Sequence, residues 1–266
     1  MPDLEVAQIE TIERDAWLDM YAAAPAHVAA GLGLEHQVLD DGALLISRAL
    51  DNLQFNRLAS LGVLSPVRQD TFDAAISAFD RAGVRNWVVH VAEGAPSLEE
   101  MCRRRGLVPH RRTWAKFVRG PDKLDVGTSL AIREIGPEAA AAFGSVAAQA
   151  YGLPPATAEW LAVVVGRPRW HCFMAFDGAV PVATGAVYVD GTSAWLGIGA
   201  TLASHRGRGA QSAVLAARIQ AAAHEGCTTL TTETGVPHPG ESGPSYGNIQ
   251  RAGFRIAYLR PNFCRP

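Results

Sequence analysis

Residues 194–211, AWLGIGATLASHRGRGAQ, join a strand, a glycine-rich loop and the start of a helix in one run. The helix is predicted from Ala210 to His224, because Gly226 ends the helical pattern. The first amides of a helix have no intrahelical acceptor and lie at the positive end of the helix dipole. Because glycines keep side chains away, a diphosphate can approach these amides closely, so the loop predicts a phosphate site.

The loop has to be compared with a plain turn and with two known nucleotide-binding designs. Arg206 and Arg208 can add charge-assisted contacts to a phosphate, but they fit a plain strand-to-helix turn with solvated arginines equally well. A Walker loop needs Gly-Lys-Ser or Gly-Lys-Thr, which the sequence lacks. A dinucleotide fingerprint needs a glycine where Ser212 stands, and the remaining chain cannot complete a doubly wound sheet.

The second half of the chain predicts a definite order of elements around the loop. The order is strand, two helices, three antiparallel strands, loop and helix, strand, helix, strand. The predicted strands are Leu130–Ile135, Trp170–Phe176, Val182–Val189, Ala194–Thr201, Thr228–Glu233 and Phe254–Arg260. The predicted helices are Pro137–Ala150, Ala156–Val165, Ala210–His224 and Ser245–Arg251.

The first half of the chain predicts a degenerate copy of the same order of elements, which indicates an internal duplication. The polar segment Gly120–Asp125 is predicted to link a domain at residues 1–120 to one at residues 121–266. The predicted helices are Thr11–Ala30, Thr71–Ala82 and Leu98–Arg104. The predicted strands are Glu35–Leu39, Ala43–Ser47, Phe55–Val63, Asn86–Val91 and Trp114–Val118.

The first copy lacks the glycine loop. The corresponding residues are Ser65–Asp70, which contain no glycine. Asp70 places negative charge near the helix start, where it suits the bare dipole and would repel a diphosphate. We therefore expect the domain at residues 1–120 to bind no cofactor and to be structural or to shape the substrate site.

The loop resembles the acyl-CoA-binding motif of the GCN5-related N-acetyltransferase (GNAT) superfamily. That motif runs Arg or Gln, two residues, Gly, one residue, then Gly or Ala; Arg206 and Gly209 match it and Gln211 departs from it. The ending Arg251–Phe254 resembles the family's Lys-Leu-Gly-Phe turn, and the likeness covers roughly Val126–Pro261. The resemblance implies an α/β chain of the α+β type with two GNAT-like domains. Each would hold a mixed, mostly antiparallel central sheet flanked by helices.

The resemblance also implies the residues that hold acetyl-CoA. Backbone groups near Ala200, Thr201 and Leu202 would hold the pantetheine arm and the thioester oxygen. Ser245 and Asn248 would order water or the sulfur end of the cofactor. The diphosphate would be held by Arg206, Gly207, Arg208, Gly209, Ala210 and Gln211.

The implied reaction is acetyl transfer to a primary amine of a small molecule or a peptide, which needs a general base and an acid. Glu233, at the end of a strand beside the implied cleft, is the first candidate base, and it fits a surface strand end equally well. His171 and His205 are weaker candidates: we expect His171 to face the interior and His205 to lie at the loop entrance. The family's usual acid position holds Ile249, so Tyr246 is the candidate substitute, with structural packing as its alternative.

The surface that faces the acceptor is expected from the Tyr151–Pro154 loop, the helix of Trp160 and the third and fourth strands. Aromatic residues on strands more commonly pack in the core, so the lining role stays open for them. The strand aromatics concerned are Trp170, Tyr188 and Trp195.

Composition and charge limit the classes of protein to which this chain can belong. The 266 residues are 48% hydrophobic and 19% charged, which is typical of a globular chain. A net charge of −2 gives no field that would recruit nucleic acid or an anionic membrane, and no apolar run or leader is evident, so we expect a cytoplasmic protein. The four cysteines are widely spaced, so we expect neither a disulfide scaffold nor a metal site.

Three functions remain open from the sequence. The first is the acetyltransferase, for which a homodimer is an open possibility. The second is a catalytically silent acyl-CoA sensor, which the absence of the usual tyrosine favours. The third is a nicotinamide-dependent reductase, which the element order disfavours.

Overall fold

The structure, a computed structural model, describes residues 4–266, and the chain divides into two compact units. The first unit extends through Lys116 and also contains Glu233–Gly243 and Ile256–Pro266. The second unit contains Phe117–Thr232 and Pro244–Arg255. This division differs from a single boundary after residue 120, because two late segments return to the first unit. Within residues 4–266, no helix has both the length and the apolar character needed to cross a bilayer.

The helices of the first unit correct one prediction. The helix predicted over Thr11–Ala30 is two helices, because Pro25 has no N–H to donate and disfavours helical conformation in the residue before it. The helices are α1 (Leu4–Ala22), α2 (Ala26–Leu32), α3 (Gln69–Ala82) and α4 (Pro96–Arg104).

The sheet of the first unit is mostly antiparallel. It has the order β1-β2-β3-β4-β13-β5, in which only the β3/β4 pair is parallel. The strands are β1 (Leu34–Leu39), β2 (Gly42–Ser47), β3 (Arg57–Ala59), β4 (Val88–His90), β5 (Val108–Pro109) and β13 (Asn262–Cys264).

The last strand of the chain completes this sheet, which the sequence did not predict. Phe263 of β13 pairs with Val89 on one side and Pro109 on the other. Its side chain is 1% exposed and packs in the core of the first unit with Phe72 and Trp87. Through Phe263, β13 is therefore part of the first unit's hydrophobic core.

The second unit follows the predicted order of elements. Its sheet runs β7-β8-β9-β10-β11, antiparallel except for the β10/β11 pair. The strands are β7 (Ala131–Glu134), β8 (Trp170–Asp177), β9 (Val180–Asp190), β10 (Ser193–Thr201) and β11 (Thr229–Gly235). The helices are α5 (Ala140–Tyr151), α6 (Thr157–Ala162), α7 (Ala210–His224) and α8 (Pro244–Arg251).

Three strands carry residues of both units. They are β6 (Trp114–Arg119), β11 and β12 (Arg255–Arg260). In the second unit, α7 connects β10 to β11, as α3 connects β3 to β4 in the first. Each unit thus has a parallel pair joined by a helix inside a mostly antiparallel sheet, which confirms the predicted fold class.

β10 changes its pairing halfway along its length. Its parallel pairing with β11 ends at Trp195 with Thr231, while β10 itself runs on to Thr201. On its other side, the register with β9 shifts between Gly197 and Ala200. The pairing of the two parallel strands therefore ends before β10 does.

Candidate functional site

The start of α7 is open. Gly209 caps the helix with a φ of 81°, and no side chain caps it. Ala213 donates the first backbone bond of the helix, to the carbonyl of Gly209 at 3.0 Å, so the amides of residues 210–212 have no intrahelical acceptor. Gly207 also has a positive φ, of 77°, and a β-carbon there would meet nothing within 4 Å. Backbone donors are thus exposed to an approaching anion.

A cavity of about 860 Å³ lies at this helix start, within the second unit. Thr201 lies on its wall, and the hydroxyl of this residue is buried without a hydrogen-bond partner among residues 4–266. The cavity is lined by Ala150, Tyr151, Gly199, Ala200, Thr201, His205, Arg206, Gly207, Gly209, Ala210, Gln211, Ser212, Pro244, Ser245, Asn248 and Arg251.

The two loop arginines have different surroundings. Arg208 donates to Asp177 and does not line the cavity, although the sequence placed it with the diphosphate. This contact holds the pKa of Asp177 below its usual value. Arg206 lines the cavity and forms no ion pair with any residue of the described part of the chain. Arg206 is therefore the loop cation that remains available to a ligand.

Two residues of α8 meet the helix start. The Asn248 side-chain amide donates to Gln211, and Gln211 donates to the Ser245 hydroxyl at 3.4 Å. The Gln211 side chain is thereby held toward α8. The departure from glycine or alanine at this position leaves the helix amides uncapped.

Nine of the predicted cofactor residues line the cavity and two do not. Leu202 and Arg208 lie outside it. Tyr151, which the sequence assigned to the acceptor surface, lines it. His205 also lines it, 3.4 Å from Asp177. The nine are Ala200, Thr201, Arg206, Gly207, Gly209, Ala210, Gln211, Ser245 and Asn248.

The other histidine and the strand aromatics lie elsewhere. His171 does not face the interior as expected: its ring lies 2.9 Å from Glu134 and 3.6 Å from Glu225. The strand aromatics pack together in the core, each at most 6% exposed, which is the alternative that the sequence left open. They are Trp170, Tyr188 and Trp195.

Tyr246 packs edge-on against Phe117, with ring centroids 5.2 Å apart. It is not among the residues that line the cavity. Ile249, in the family's acid position, is buried. The acid role of Tyr246 thus stays a prediction, and its packing matches the structural alternative.

Glu233, the candidate base, belongs to a buried cluster of charges in the first unit. Lys116 bridges it to Glu13, lying 2.6 Å from Glu233 and in direct contact with Glu13. Arg260 contacts the same two carboxylates, at 3.3 Å from Glu233 and 2.9 Å from Glu13. Arg57 lies 3.2 Å from Glu13 and 3.8 Å from Glu233.

The two carboxyl groups of this cluster titrate differently. Burial and the neighbouring Glu13 raise the pKa of Glu233 to about 7, although Lys116 and Arg260 oppose the shift. Burial also acts to raise the pKa of Glu13, but Arg260 and Lys116 outweigh it and hold that pKa well below its usual value. The Glu233 side chain is 9% exposed and that of Glu13 is 1% exposed. Glu233 is the member of the pair that can exchange a proton near neutral pH.

Sequence reasoning missed this cluster, for which only one signal was available. Its partners lie far apart in the chain, as Arg260 and Glu13 do, and are brought together only by folding. The available signal was Lys116, one of only two lysines in a chain rich in arginine, standing inside a predicted strand.

The loop before α3 already holds an anion of its own. The carboxylate of Asp41 accepts the amides of Gly62 at 2.9 Å, Leu64 at 2.5 Å and Ser65 at 3.1 Å. These amides belong to the connection between β3 and α3, which corresponds to the glycine loop of the second unit. In the first unit, an internal carboxylate thus occupies three amides of the connection that precedes the helix.

Comparison with known proteins bears on the fold. No protein-family model matches the sequence, and no curated protein matches it either. A GCN5-related N-acetyltransferase from Kribbella flavida is 18% identical over 97% of this chain and 95% of its own, with a TM-score of 0.65. One from Sphaerobacter thermophilus is 15% identical over 97% of this chain and 90% of its own, with a TM-score of 0.60.

A third similar structure is a tandem GNAT protein from the clavulanic acid biosynthesis pathway. It is 16% identical over 96% of this chain and 94% of its own, with a TM-score of 0.59. At these identities the similarity concerns the fold, and it spans both units. This chain has a tandem GNAT fold.

Proposed function

We propose that this chain transfers an acetyl group from acetyl-CoA to a primary amine of a small molecule or a peptide. The observation that carries the proposal is the open start of α7. Its amides have no side-chain cap, and they border a cavity that is also lined by the end of β10, beyond its last pairing with β11, in a tandem GNAT fold. An open helix start of this kind is suited to bind a phosphate group.

The residues present fit the cofactor. The amides of residues 210–212 would donate to the diphosphate oxygens, and Arg206 would add a charge-assisted contact. Backbone groups of Ala200 and Thr201, which line the same cavity, would hold the pantetheine arm. Acetyl-CoA supplies a thioester. The amine nitrogen bonds to its carbonyl carbon, negative charge develops on the carbonyl oxygen, and the C–S bond then breaks to release the CoA thiolate. Holding both reactants in place accounts for much of the rate in such a reaction.

Glu233, which like Tyr246 does not line the cavity at the start of α7, is the proposed general base. A base acts best when its pKa lies near the working pH, and the pKa of Glu233 is raised to about 7. Its ionised form would accept the proton that the attacking amine loses. Lys116 and Arg260 would hold the carboxylate in one orientation.

A second candidate function is acyl-CoA binding without transfer. One observation favours it: Tyr246 is packed against Phe117 and does not line the cavity, and Ile249 stands in the usual acid position. The cofactor loop is the same in both functions, so it does not separate them.

An experiment with two readouts distinguishes these functions. Calorimetry measures CoA binding, and a thiol-release assay measures turnover of acetyl-CoA with a library of primary amines. Amine-dependent thiol release supports transfer. Binding without release for every amine supports the second function, and absence of CoA binding contradicts both.

A further inference from the structure

The bulge of β10 is held by side chains from outside the strand. Three consecutive carbonyls, those of residues 197–199, each accept a hydrogen bond from a different element of the second unit. The donors come from α7, from β9 and from the end of α5. The pairs are Arg218 with Gly197 at 3.0 Å, Thr184 with Ile198 at 3.1 Å and Tyr151 with Gly199 at 3.2 Å.

The backbone within this bulge is strained. Ile198 has a φ of 51°, in the left-handed region that a β-branched residue rarely adopts. Such a conformation persists only where the surroundings enforce it, and it is often associated with function. The three side-chain bonds are the surroundings that enforce it here.

The bond from Thr184 fixes the direction of one particular amide. Thr184 lies on β9, so the Ile198 carbonyl is turned toward β9. In a planar trans peptide the carbonyl and the following N–H point in opposite directions. The N–H of Gly199 therefore points away from the Thr184 hydroxyl, in the part of β10 that lies beyond its last pairing with β11 at Trp195. Gly199 also lines the cavity.

Arg218 supports the same geometry from beneath the sheet. It is 4% exposed, and its Nη1 bridges the carbonyl of Gly197 on β10 and that of Ala186 on β9. A side chain on Gly185 would fall 2.7 Å from its Nε, so the glycine makes the room that the guanidinium occupies. The Arg218 guanidinium thus occupies the space beside the bulge and helps to keep β10 from forming a regular ladder with β9 there.

We propose that Thr184 is a positioning residue for acetyl transfer. By holding the Ile198 carbonyl toward β9, it aims the amide of Gly199 at the thioester oxygen, where negative charge develops as the amine attacks. The inference rests on the proposed function, because it needs a thioester in the cavity. Amides aimed in advance at a developing oxyanion lower the barrier to acyl transfer.

The test compares Thr184→Val, which keeps the shape and loses the hydroxyl, with Thr184→Ser, which keeps the hydroxyl. Thr231→Val is the control, since Thr231 is another buried threonine whose hydroxyl donates to a backbone carbonyl, that of Phe117 at 2.9 Å. All variants are first checked for folding by circular dichroism and for CoA affinity by calorimetry.

Two readouts report on the amide rather than on stability. The first is kcat against KM for acetyl-CoA, and the second is the infrared frequency of bound [1-13C]acetyl-CoA at its thioester carbonyl. For Thr184→Val we expect kcat to fall about 10- to 100-fold with little change in KM, because one oxyanion donor is misdirected. We also expect the carbonyl band to return toward its frequency in water. Thr184→Ser should restore both values, and Thr231→Val should retain them.

The outcomes separate the two proposals. If Thr184→Val keeps the wild-type carbonyl frequency, or if Thr184→Ser is as impaired as Thr184→Val, the positioning role is wrong while the proposed function stands. If the wild-type chain binds acetyl-CoA without turnover, the infrared comparison alone decides the positioning role. A wild-type chain that binds no CoA overturns the proposed function and, with it, this inference.

Discussion

The guanidinium of Arg208 donates to both carboxylate oxygens of Asp177, at 2.6 and 3.1 Å. Arg206, two residues earlier, pairs with no carboxylate of residues 4–266 and lines the cavity. Two arginines in one loop are therefore not equivalent: one is engaged by the protein and the other is available to a ligand.

Arg206→Ala should weaken CoA binding about tenfold, because a charge-assisted contact to the diphosphate is lost. Arg208→Ala is the matched control and should change the dissociation constant less than about threefold, since Asp177 already occupies that side chain. Calorimetry at fixed ionic strength measures both. Equal losses, or a larger loss for Arg208→Ala, would show that the assignment of the two arginines is wrong.

Gln211→Glu should lower CoA affinity by about tenfold or more while the protein stays folded. The new carboxylate would stand beside the diphosphate, yet it would interact favourably with the helix dipole. The change avoids Gly209, where φ is 81° and a β-carbon would lie 3.2 Å from the carbonyl of Gly127. Gln220→Glu, on the exposed far end of α7, is the control. Equal affinities of the two variants would count against a diphosphate at this helix start.

Glu233→Gln should remove the acidic limb of the pH–rate profile. The base works only when ionised, so a pKa of about 7 makes the wild-type rate rise with pH up to about 7 and then level off. In the variant we expect kcat to fall about 100-fold or more and to lose this dependence. Steady-state rates from pH 5.5 to 9 measure it, with the exposed Glu225→Gln as control. A variant that keeps the wild-type profile would rule out Glu233 as the base.

One CoA should bind per chain. In the first unit, the amides of Gly62, Leu64 and Ser65 already hold the Asp41 carboxylate, and Asp70 adds negative charge near the start of α3. The stoichiometry from calorimetry tests this expectation directly. Two equivalents per chain would mean that the first unit also binds the cofactor.

Phe263→Ala should lower the free energy of unfolding by about 3 to 5 kcal/mol, the usual cost of deleting a buried phenylalanine side chain. The residue is 1% exposed on the strand that completes the first unit's sheet. Leu259→Ala, at a side chain that is 52% exposed, should change the stability by about 0.5 kcal/mol or less. Urea denaturation compares them. Similar stabilities would mean that the C-terminal strand contributes little to the first unit.

The parts of the fold that the sequence predicted are those with local signals. The bounds of α7 follow from Gly209 and Gly226, which interrupt helical periodicity at both ends. The β8/β9 hairpin follows from Asp177-Gly178, where Gly178 adopts a positive φ. In both cases the residues that determine the element are neighbours in the chain.

The parts that escaped prediction depend on distant residues. β13 exists because Phe263 pairs with Val89 and Pro109, more than 150 residues earlier. The support of the β10 bulge by Thr184 and Arg218 likewise joins separate elements. A usable signal existed for Arg218, because it is a charged residue on the apolar face of α7.

The candidate site was predictable in part for the same reason. The glycine loop is local, so its residues could be placed on a helix start from the sequence alone. The side chain of Arg208 could not be assigned, since its contact with Asp177 depends on how the β8/β9 turn meets the loop. The surroundings of Glu233 depend on Glu13, Lys116 and Arg260, which come from three other elements.

The most direct test is a crystal structure of the chain with acetyl-CoA. The diphosphate oxygens should lie about 2.7–3.2 Å from backbone amides of residues 207–212, with the guanidinium of Arg206 against them. A diphosphate bound elsewhere on the chain, with the start of α7 left open to solvent, would contradict the account.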